Sequence, residues 1–311
     1  MPDHKIDALL TTFGTGDAFE RPRSTLREWI SSDGSTAFPA EAGRYHLYVS
    51  WACPWAHRTA IGRTLKGLQD VIGLTVVDPV RDERSWAFNE RYPDPLHGWE
   101  FLSQAYLATD PGYDGRLSVP VLWDTQDGRI VNNESADILR MMSTGFGDLA
   151  SDAHDLVPAD RVAEIDALNT RIYEELNNAV YRAGLSHDQA DYDRTIDTMF
   201  ALLDELDARL ADSRYLFGDA PVETDWRLFV TLVRFDPVYA IHFKCSRKRI
   251  TDLPNLWGYV RDLYQGYGIE DTVRLDEIRD HYYLTHPSIN PGGLVAALPA
   301  TVDLAAPHGR G

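Results

Sequence analysis

The 311-residue sequence has few cysteines, no long apolar run and no surplus of positive charge. Its 30 Lys and Arg residues against 48 Asp and Glu give a formal net charge of −18, which repels phosphate backbones and anionic lipids. No apolar stretch approaches the roughly 18 residues of a spanning helix, and Asp3, His4 and Lys5 interrupt any leader core. The composition argues against nucleic-acid and membrane partners and predicts a cytoplasmic protein.

The two cysteines, Cys53 and Cys245, are too few for a disulfide framework in a chain of this length. A thiol here therefore matters for its reactivity or its packing. Domains typically contain about 100–200 residues, so the length predicts two domains rather than one.

The first part of the chain alternates strand and helix signals. Residues 1–44 are an irregular extension with a short predicted helix at 25–30. After it the sequence predicts strands at 45–50, 74–77, 118–123 and 128–131, and helices from Pro54, at 101–108 and after Asn132-Asn-Glu-Ser135. This β-α-β, connection, β-β-α order predicts an α/β domain over residues 45–150.

The second part of the chain is helical by its pattern. Beyond residue 158, apolar side chains recur every three or four residues in at least four segments, which predicts an all-α bundle over 158–286. The remaining residues, 287–311, are rich in Pro, Gly and Ala and are expected to be extended.

Cys53 stands where a predicted strand meets a helix, next to Pro54. Unpaired backbone N–H groups and the positive end of the helix dipole favour a thiolate there, and His57 and Arg58 would add positive potential. Ala56 occupies the second position of a Cys-x-x-Cys pair, so redox chemistry must use a mixed disulfide with a small thiol. The alternatives are a buried structural cysteine, and a His57 and Arg58 that are simply solvated.

Two further segments have both a structural and a functional interpretation. Val119-Pro120 is either a proline at a strand start or a cis peptide that places the Val119 backbone beside Cys53, where it pairs with a peptide-like ligand. Glu134 and Ser135 are either helix caps or the groups that bind the ammonium and carboxylate of a γ-glutamyl moiety.

The stretch Tyr-Val-Ser-Trp-Ala-Cys-Pro-Trp-Ala-His-Arg at 48–58, together with Val119-Pro120 and Asn132-Asn-Glu-Ser135, resembles the Xi class of glutathione transferases, the glutathionyl-hydroquinone reductases. The resemblance continues into the helical part and covers about 45–295. Its other blocks are 177–184, 225–229, 234–236, 242–245 and 289–291. It implies an N-terminal thioredoxin-like domain with a C-terminal α-helical bundle domain, the glutathione-transferase architecture.

The resemblance also implies how glutathione, the cosubstrate, is bound. Its binding residues would be Trp86, the backbone of Val119, Glu134 and Ser135. Trp99 competes with Trp86 for the indole position. The resemblance further implies a homodimer without a bound cofactor, and the spacing of the histidines in the helical part matches no zinc motif, so no metal is expected.

The catalytic residues implied by the resemblance are Cys53 as nucleophile and Tyr181 and Tyr282 at the aromatic substrate. The implied reaction is the reduction of S-glutathionyl hydroquinones through a Cys53–glutathione mixed disulfide. Val222 departs from the family pattern, because a hydroxyl residue usually stands three residues before Asp225 and caps the helix. Two other functions remain open: a conventional transferase that conjugates electrophiles, and a non-enzymatic ligand-binding protein on the same fold.

Overall fold

The computed structural model describes residues 23–82 and 84–310. These residues form two compact units, one within 23–154 and one within 155–310. The first 22 residues of the predicted N-terminal extension lie outside the described residues. No helix in the described part is both long and apolar enough to cross a membrane.

The first unit is built on a mixed sheet. Its elements are β1 Ile30–Ser31, β2 Phe38–Pro39, β3 Tyr45–Val49, α1 Pro54–Leu65, β4 Ile72–Val76, α2 Ser103–Thr109, β5 Val121–Asp124, β6 Arg129–Asn132 and α3 Ser135–Thr144. The four-stranded sheet has the order β4-β3-β5-β6, in which β3 pairs in parallel with β4 and in antiparallel with β5. This is the thioredoxin-like arrangement that the resemblance implies.

Apolar side chains cover both faces of the sheet centre. Every residue of β3 is buried, and so is every residue of β5, as expected of strands between two layers. On one face α1 and α3 approach closely at Gly62. A Cβ atom at that position would lie 2.6 Å from Leu139 Cδ1, so a larger residue would require the buried Leu139 side chain to shift.

The helix predicted at 25–30 is wrong. Leu26 and Glu28 instead make backbone hydrogen bonds with Asn133 and Val131, beside the edge strand β6, at 3.0 Å each. Ile30–Ser31 then forms β1, which pairs with β2. Pairing with a free sheet edge outweighed the weak local helix preference, as tertiary contacts routinely do.

The second unit is helical, as predicted. Its helices are α4 Val162–Ile172, α5 Ala179–Leu185, α6 Gln189–Arg209, α7 Glu223–Arg234, α8 Ala240–His242, α9 Pro254–Gly266 and α10 Leu275–Thr285, with π-helical turns at Tyr173–Asn177 and Phe235–Tyr239. Residues 287–310 contain neither helix nor strand. Arg310 fixes the end of this tail by donating to the carbonyl oxygens of Leu210 and Arg214 at 2.9 Å each.

The start of α7 shows the effect of Val222. This residue is the N-cap, and its side chain makes no capping hydrogen bond because it has no acceptor atom. The Asp225 carboxylate instead accepts from the backbone N–H groups of Val222 at 2.8 Å and Leu216 at 3.0 Å, and from the Tyr259 hydroxyl at 2.9 Å. Of the two hydrogen bonds of a capping box, the one from the Val222 N–H to the Asp225 carboxylate is therefore present. Burial raises the pKa of Asp225 to about 6, although these hydrogen bonds act in the other direction and lower it.

Candidate active site

Cys53 is the N-cap residue of α1. It has an extended backbone, with φ −78° and ψ 119°, and Pro54 follows as the first helical residue. Its backbone N–H donates to the Ser50 carbonyl oxygen at 3.1 Å, and its thiol points to the Val119 carbonyl oxygen at 3.7 Å. The residue is 9% exposed and packs in the apolar core of this unit.

The Val119-Pro120 peptide bond is cis, which is the second of the two interpretations of this segment. The Val119 backbone lies beside Cys53, which confirms the predicted juxtaposition of these two segments. Val119 precedes the first residue of β5, Val121, so its backbone is not part of the described sheet ladder. A backbone segment of this kind is available to pair with an extended ligand.

His57 and Arg58 are both buried, with 0% and 2% exposure, so the interpretation of these residues as solvated is wrong. The Arg58 guanidinium lies over the Trp55 ring, 4.5 Å from its centroid. This stacking fixes Arg58 on the first turns of α1.

Glu134 is the N-cap residue of α3. One carboxylate oxygen accepts from the backbone N–H of Ala136 at 3.1 Å, and the other accepts from the Ser24 hydroxyl at 3.1 Å. Ser135, which is 3% exposed, places its hydroxyl 3.4 Å from the same carboxylate. The capping interpretation of Glu134 is therefore right, but a carboxylate has about four acceptor positions, and capping leaves capacity for an ammonium group.

The two candidate indoles occupy different surroundings. Trp86 is 4% exposed, and its carbonyl oxygen accepts from the Leu102 backbone N–H at 2.9 Å. Trp99 stacks on His97 at 4.1 Å and packs edge-on against Trp123 at 5.2 Å. The Trp99 ring is therefore already engaged in an aromatic cluster with His97 and Trp123. The assignment of Trp86 to glutathione stays a prediction.

Tyr181 and Tyr282 meet inside the helical unit. Their hydroxyl oxygens are 2.6 Å apart, and the Tyr239 hydroxyl lies 3.0 Å from that of Tyr282. Tyr239 was not predicted from the sequence, although the residue stands between two blocks that carry the resemblance, 234–236 and 242–245. Burial raises the pKa of Tyr282 and Tyr239 well above 10, so both remain neutral hydrogen-bonding phenols at physiological pH.

The histidines near this cluster interact with each other. His242 Nε2 lies 3.1 Å from His286 Nδ1, and burial lowers the pKa of His242 to about 4. In the described residues, no group of three His, Cys, Asp or Glu side chains is placed to hold a metal ion. Cys245 is fully buried, and burial raises the pKa of its thiol, which suits a packed residue rather than a nucleophile.

Two family models match the chain in the order of its two units. The model described as the glutathione S-transferase N-terminal domain matches residues 52–144, and the one described as the glutathione S-transferase C-terminal domain matches 189–262. The first match includes Cys53, Val119 and Glu134.

Two curated relatives match nearly the whole chain. The glutathionyl-hydroquinone reductase YqjG of Escherichia coli (strain K12) is 47% identical over 314 residues, which cover 98% of this chain and 95% of that protein. The glutathionyl-hydroquinone reductase PcpF of Sphingobium chlorophenolicum is 42% identical over 297 residues, which cover 94% of each chain.

Solved structures agree with these matches. The glutathione-bound structure of Escherichia coli K-12 YqjG is similar with a TM-score of 0.89 and 47% identity, covering 92% of this chain and 96% of that one. The Xi-class transferase from Natrialba magadii also has a TM-score of 0.89, with 48% identity, covering 92% and 88%. The chain therefore belongs to the Xi-class glutathione transferases, the family of enzymes that includes the glutathionyl-hydroquinone reductases.

Proposed function

We propose that the protein reduces S-glutathionyl hydroquinones to hydroquinones with glutathione, through a Cys53–glutathione mixed disulfide. The observation that carries this proposal is the position of Cys53 at the N-terminus of α1, with its sulfur 3.7 Å from the Val119 carbonyl oxygen. The thiolate is the nucleophile in thiol–disulfide exchange, and a helix start offers it backbone N–H groups that have no intrahelical partner. The reductase names of YqjG and PcpF support the same reaction.

Glutathione is assigned to the groups around this sulfur. Glu134 binds the ammonium of the γ-glutamyl group, and Ser135 with the N-terminus of α3 binds its carboxylate. The Val119 backbone pairs with the peptide part of the ligand, and Trp86 covers it. The glutathione-bound structure of YqjG supports a glutathione site in this chain.

The first step needs help from the aromatic ring, because a simple aryl thioether would have to expel a carbanion. Protonation of the ring carbon that bears sulfur gives a keto tautomer. The Cys53 thiolate then attacks the substrate sulfur, the S–S bond forms, and the C–S electron pair leaves as an enolate. Tyr181 and Tyr282 are assigned to hydrogen bonds with the ring oxygens as this charge develops, and protonation of the enolate gives the hydroquinone.

The second step restores the enzyme. A second glutathione thiolate attacks the mixed disulfide, releases Cys53 as a thiolate and leaves as glutathione disulfide. The ring gains two electrons, and the two glutathione sulfurs lose them. Overall, one S-glutathionyl hydroquinone and one glutathione give one hydroquinone and one glutathione disulfide. The proposal includes a homodimeric, cytoplasmic enzyme, as expected from the sequence.

The test is intact-protein mass spectrometry after a glutathionyl hydroquinone is added without free thiol. We expect one glutathione-sized adduct on the wild type, with release of one equivalent of hydroquinone. Cys53→Ala should give neither. Cys245→Ala is the matched control and should form the adduct, since Cys245 is fully buried.

A wild type that binds the conjugate but forms no adduct would contradict the proposal. The conventional transferase is then the alternative, because in that reaction the thiol of glutathione itself attacks an electrophile. Cys53→Ser distinguishes the two. In the proposed reductase it abolishes deglutathionylation, whereas in a conventional transferase the conjugation of an aryl halide does not depend on the Cys53 thiol.

A further inference from the structure

Tyr106 on α2 is a fully buried tyrosine whose hydroxyl contacts the two segments assigned to glutathione. We propose that Tyr106 is a positioning residue of the glutathione site, which holds the segment before Val119 and the segment before Glu134 at a fixed separation. The inference rests on the proposed function, because that function assigns these two segments to glutathione. Tyr106 itself acts through its neighbours.

The Tyr106 hydroxyl has four polar neighbours within hydrogen-bond distance. It donates to the Ser118 carbonyl oxygen at 2.7 Å, and it lies 3.2 Å from the Ser118 backbone nitrogen, 3.3 Å from the Ser118 hydroxyl oxygen and 3.3 Å from Asn133 Nδ2. A phenol oxygen has one hydrogen and two lone pairs. Since its hydrogen is used by Ser118, the oxygen can only accept from Asn133, which fixes the orientation of that amide.

The two contacted residues lie just outside the sheet. The paired register of β5 and β6 includes Leu122 and Asn132, so Ser118 and Asn133 extend beyond the described ladder between these strands. Each immediately precedes a residue assigned to glutathione, Val119 or Glu134. The Tyr106 hydroxyl therefore connects the two segments where strand pairing no longer does.

The helix that carries Tyr106 is itself anchored to the sheet. The Thr109 hydroxyl oxygen, one turn further along α2, accepts from the backbone N–H of Ile130 in β6 at 2.8 Å. The Tyr106 ring packs against Tyr113 with centroids 4.9 Å apart, and Ala105 beside it is fully buried. An anchored helix and a packed ring leave the hydroxyl little freedom, as a positioning role requires.

The residues of this network come from distant parts of the sequence. Tyr106 belongs to the long connection 78–117, 12 residues before Ser118 and 27 before Asn133. The sequence predicts only a helix in this connection. In the structure, that helix brings one hydroxyl to both sides of the proposed binding site.

The test compares glutathione binding and turnover in the wild type, Tyr106→Phe and Tyr45→Phe. Tyr106→Phe keeps the ring and removes only the hydroxyl. We expect its Kd for glutathione by calorimetry, and its KM for glutathione, to rise about tenfold, with kcat at saturating glutathione within about twofold of the wild type. A loss of folded protein alone would lower kcat and leave KM unchanged.

Tyr45→Phe is the matched control. Tyr45 is a buried tyrosine of the same unit, and its hydroxyl donates to the Pro39 carbonyl oxygen at 2.7 Å, away from Ser118 and Asn133. Its Kd for glutathione should equal that of the wild type. An equal rise in both variants would show a general loss of packing and overturn the inference.

Asn133→Ala provides a second variant in case Tyr106→Phe does not fold. It removes one of the hydrogen bonds of the hydroxyl, so we expect a smaller rise in Kd. Wild-type affinity for glutathione in folded Tyr106→Phe overturns the inference. If Tyr106→Phe does not fold, wild-type affinity in Asn133→Ala overturns it instead. In either case, hydroquinone release by the wild type still upholds the proposed function. Weakened glutathione binding in the variants, with no hydroquinone release by the wild type, upholds the positioning role of Tyr106 and contradicts the proposed function.

Discussion

The hydroxyl of Tyr282 is the centre of a three-tyrosine cluster in the helical unit. It lies 2.6 Å from the Tyr181 hydroxyl and 3.0 Å from that of Tyr239. Three phenols in such a chain orient one another, because each hydrogen committed to one neighbour fixes what the next can donate. The hydrogen bond between Tyr181 and Tyr282 uses one of their two hydrogens, so one phenol can donate to a developing oxyanion while that bond lasts, and both can donate once it opens.

We predict that Tyr282→Phe lowers turnover of a glutathionyl hydroquinone by about 100-fold, the size expected for one oxyanion donor. Reduction of a small glutathione mixed disulfide, which needs only the thiol, should stay within about twofold. Steady-state rates on the two substrates measure this. Tyr283→Phe is the control, since the adjacent Tyr283 hydroxyl donates instead to the Pro237 carbonyl oxygen at 3.2 Å. Equal losses on both substrates would contradict the assigned role.

Residue positions were predictable where the signal is local in the sequence. Cys53, Pro54 and the Val119-Pro120 bond are recognisable from their neighbours, and the structure places Cys53 and Val119 together. Tyr239 and Ser24 were missed because their partners lie 43 and 110 residues away in the sequence. No local pattern reports a hydrogen bond between such distant side chains.

At the level of secondary-structure elements, the start of α7 lacks the hydrogen bond that an N-cap side chain usually accepts. Val222 has the extended backbone of an N-cap residue, and Asp225 accepts from its N–H at 2.8 Å, so one half of a capping box exists. A hydroxyl at position 222 would supply the other half by accepting from the backbone N–H of a first-turn residue. Threonine has nearly the shape of valine. The backbone N–H groups of Glu223 and Asp225 already donate to the carbonyl oxygens of Leu156 and Val222, so the threonine hydroxyl would accept from the N–H of Thr224 or share that of Asp225.

We therefore predict that Val222→Thr raises the free energy of unfolding by about 1 kcal/mol. Urea denaturation measures the change. Val222→Ala is the control, because it removes packing without adding an acceptor and should destabilise the protein. A threonine variant no more stable than the wild type would show that the cost of burying the hydroxyl cancels the capping gain.

Segments differ in how far the sequence determines them. The regular strand and helix patterns of 45–77 and 118–144 survive in the structure, and the strand ends shift by at most three residues. The segment around Arg27 does not, because its conformation is set by distant partners. Arg27 donates to both oxygens of Asp137 at 2.7 Å, in the first turn of α3, and its neighbours pair with the β6 edge. A local helix preference cannot compete with these contacts.

On the scale of the whole molecule, each unit contains a buried histidine that resists protonation. His46 in the first unit lies 2.7 Å from the Thr75 hydroxyl, and burial lowers its pKa to about 4. His242 in the second unit has a pKa of about 4 for the same reason, with a contribution from Lys244. In the unfolded chain both imidazoles titrate near 6.5. The unfolded state therefore binds more protons between pH 6.5 and 4, and stability falls as pH falls through this window.

Asp225 acts in the opposite direction. Burial raises its pKa to about 6, so the folded state binds the extra proton between pH 6 and about 4, and this contribution to stability is lost as pH rises through that range. Burial also raises the pKa of Asp236, so two aspartates, present in every protein compared below, oppose the two histidines. The histidine effect begins at the higher pH, near 6.5, and predicts that acidification from there destabilises the protein. Variants that keep Asp225 isolate the histidine contribution, because the opposing effect is the same in each.

We predict that the melting temperature falls between pH 8 and pH 5, and that the fall is smaller by about 3 °C in His46→Asn and in His242→Asn than in the wild type. Thermal denaturation by circular dichroism at both pH values measures it. Either substitution also lowers the melting temperature at pH 8 through lost packing, so the comparison uses only the difference between the two pH values for each protein. Since the histidines lie in separate units, the double variant should show the sum of the two reductions. Parallel curves for the wild type and both variants would mean that the buried imidazoles do not govern the acid sensitivity of the fold.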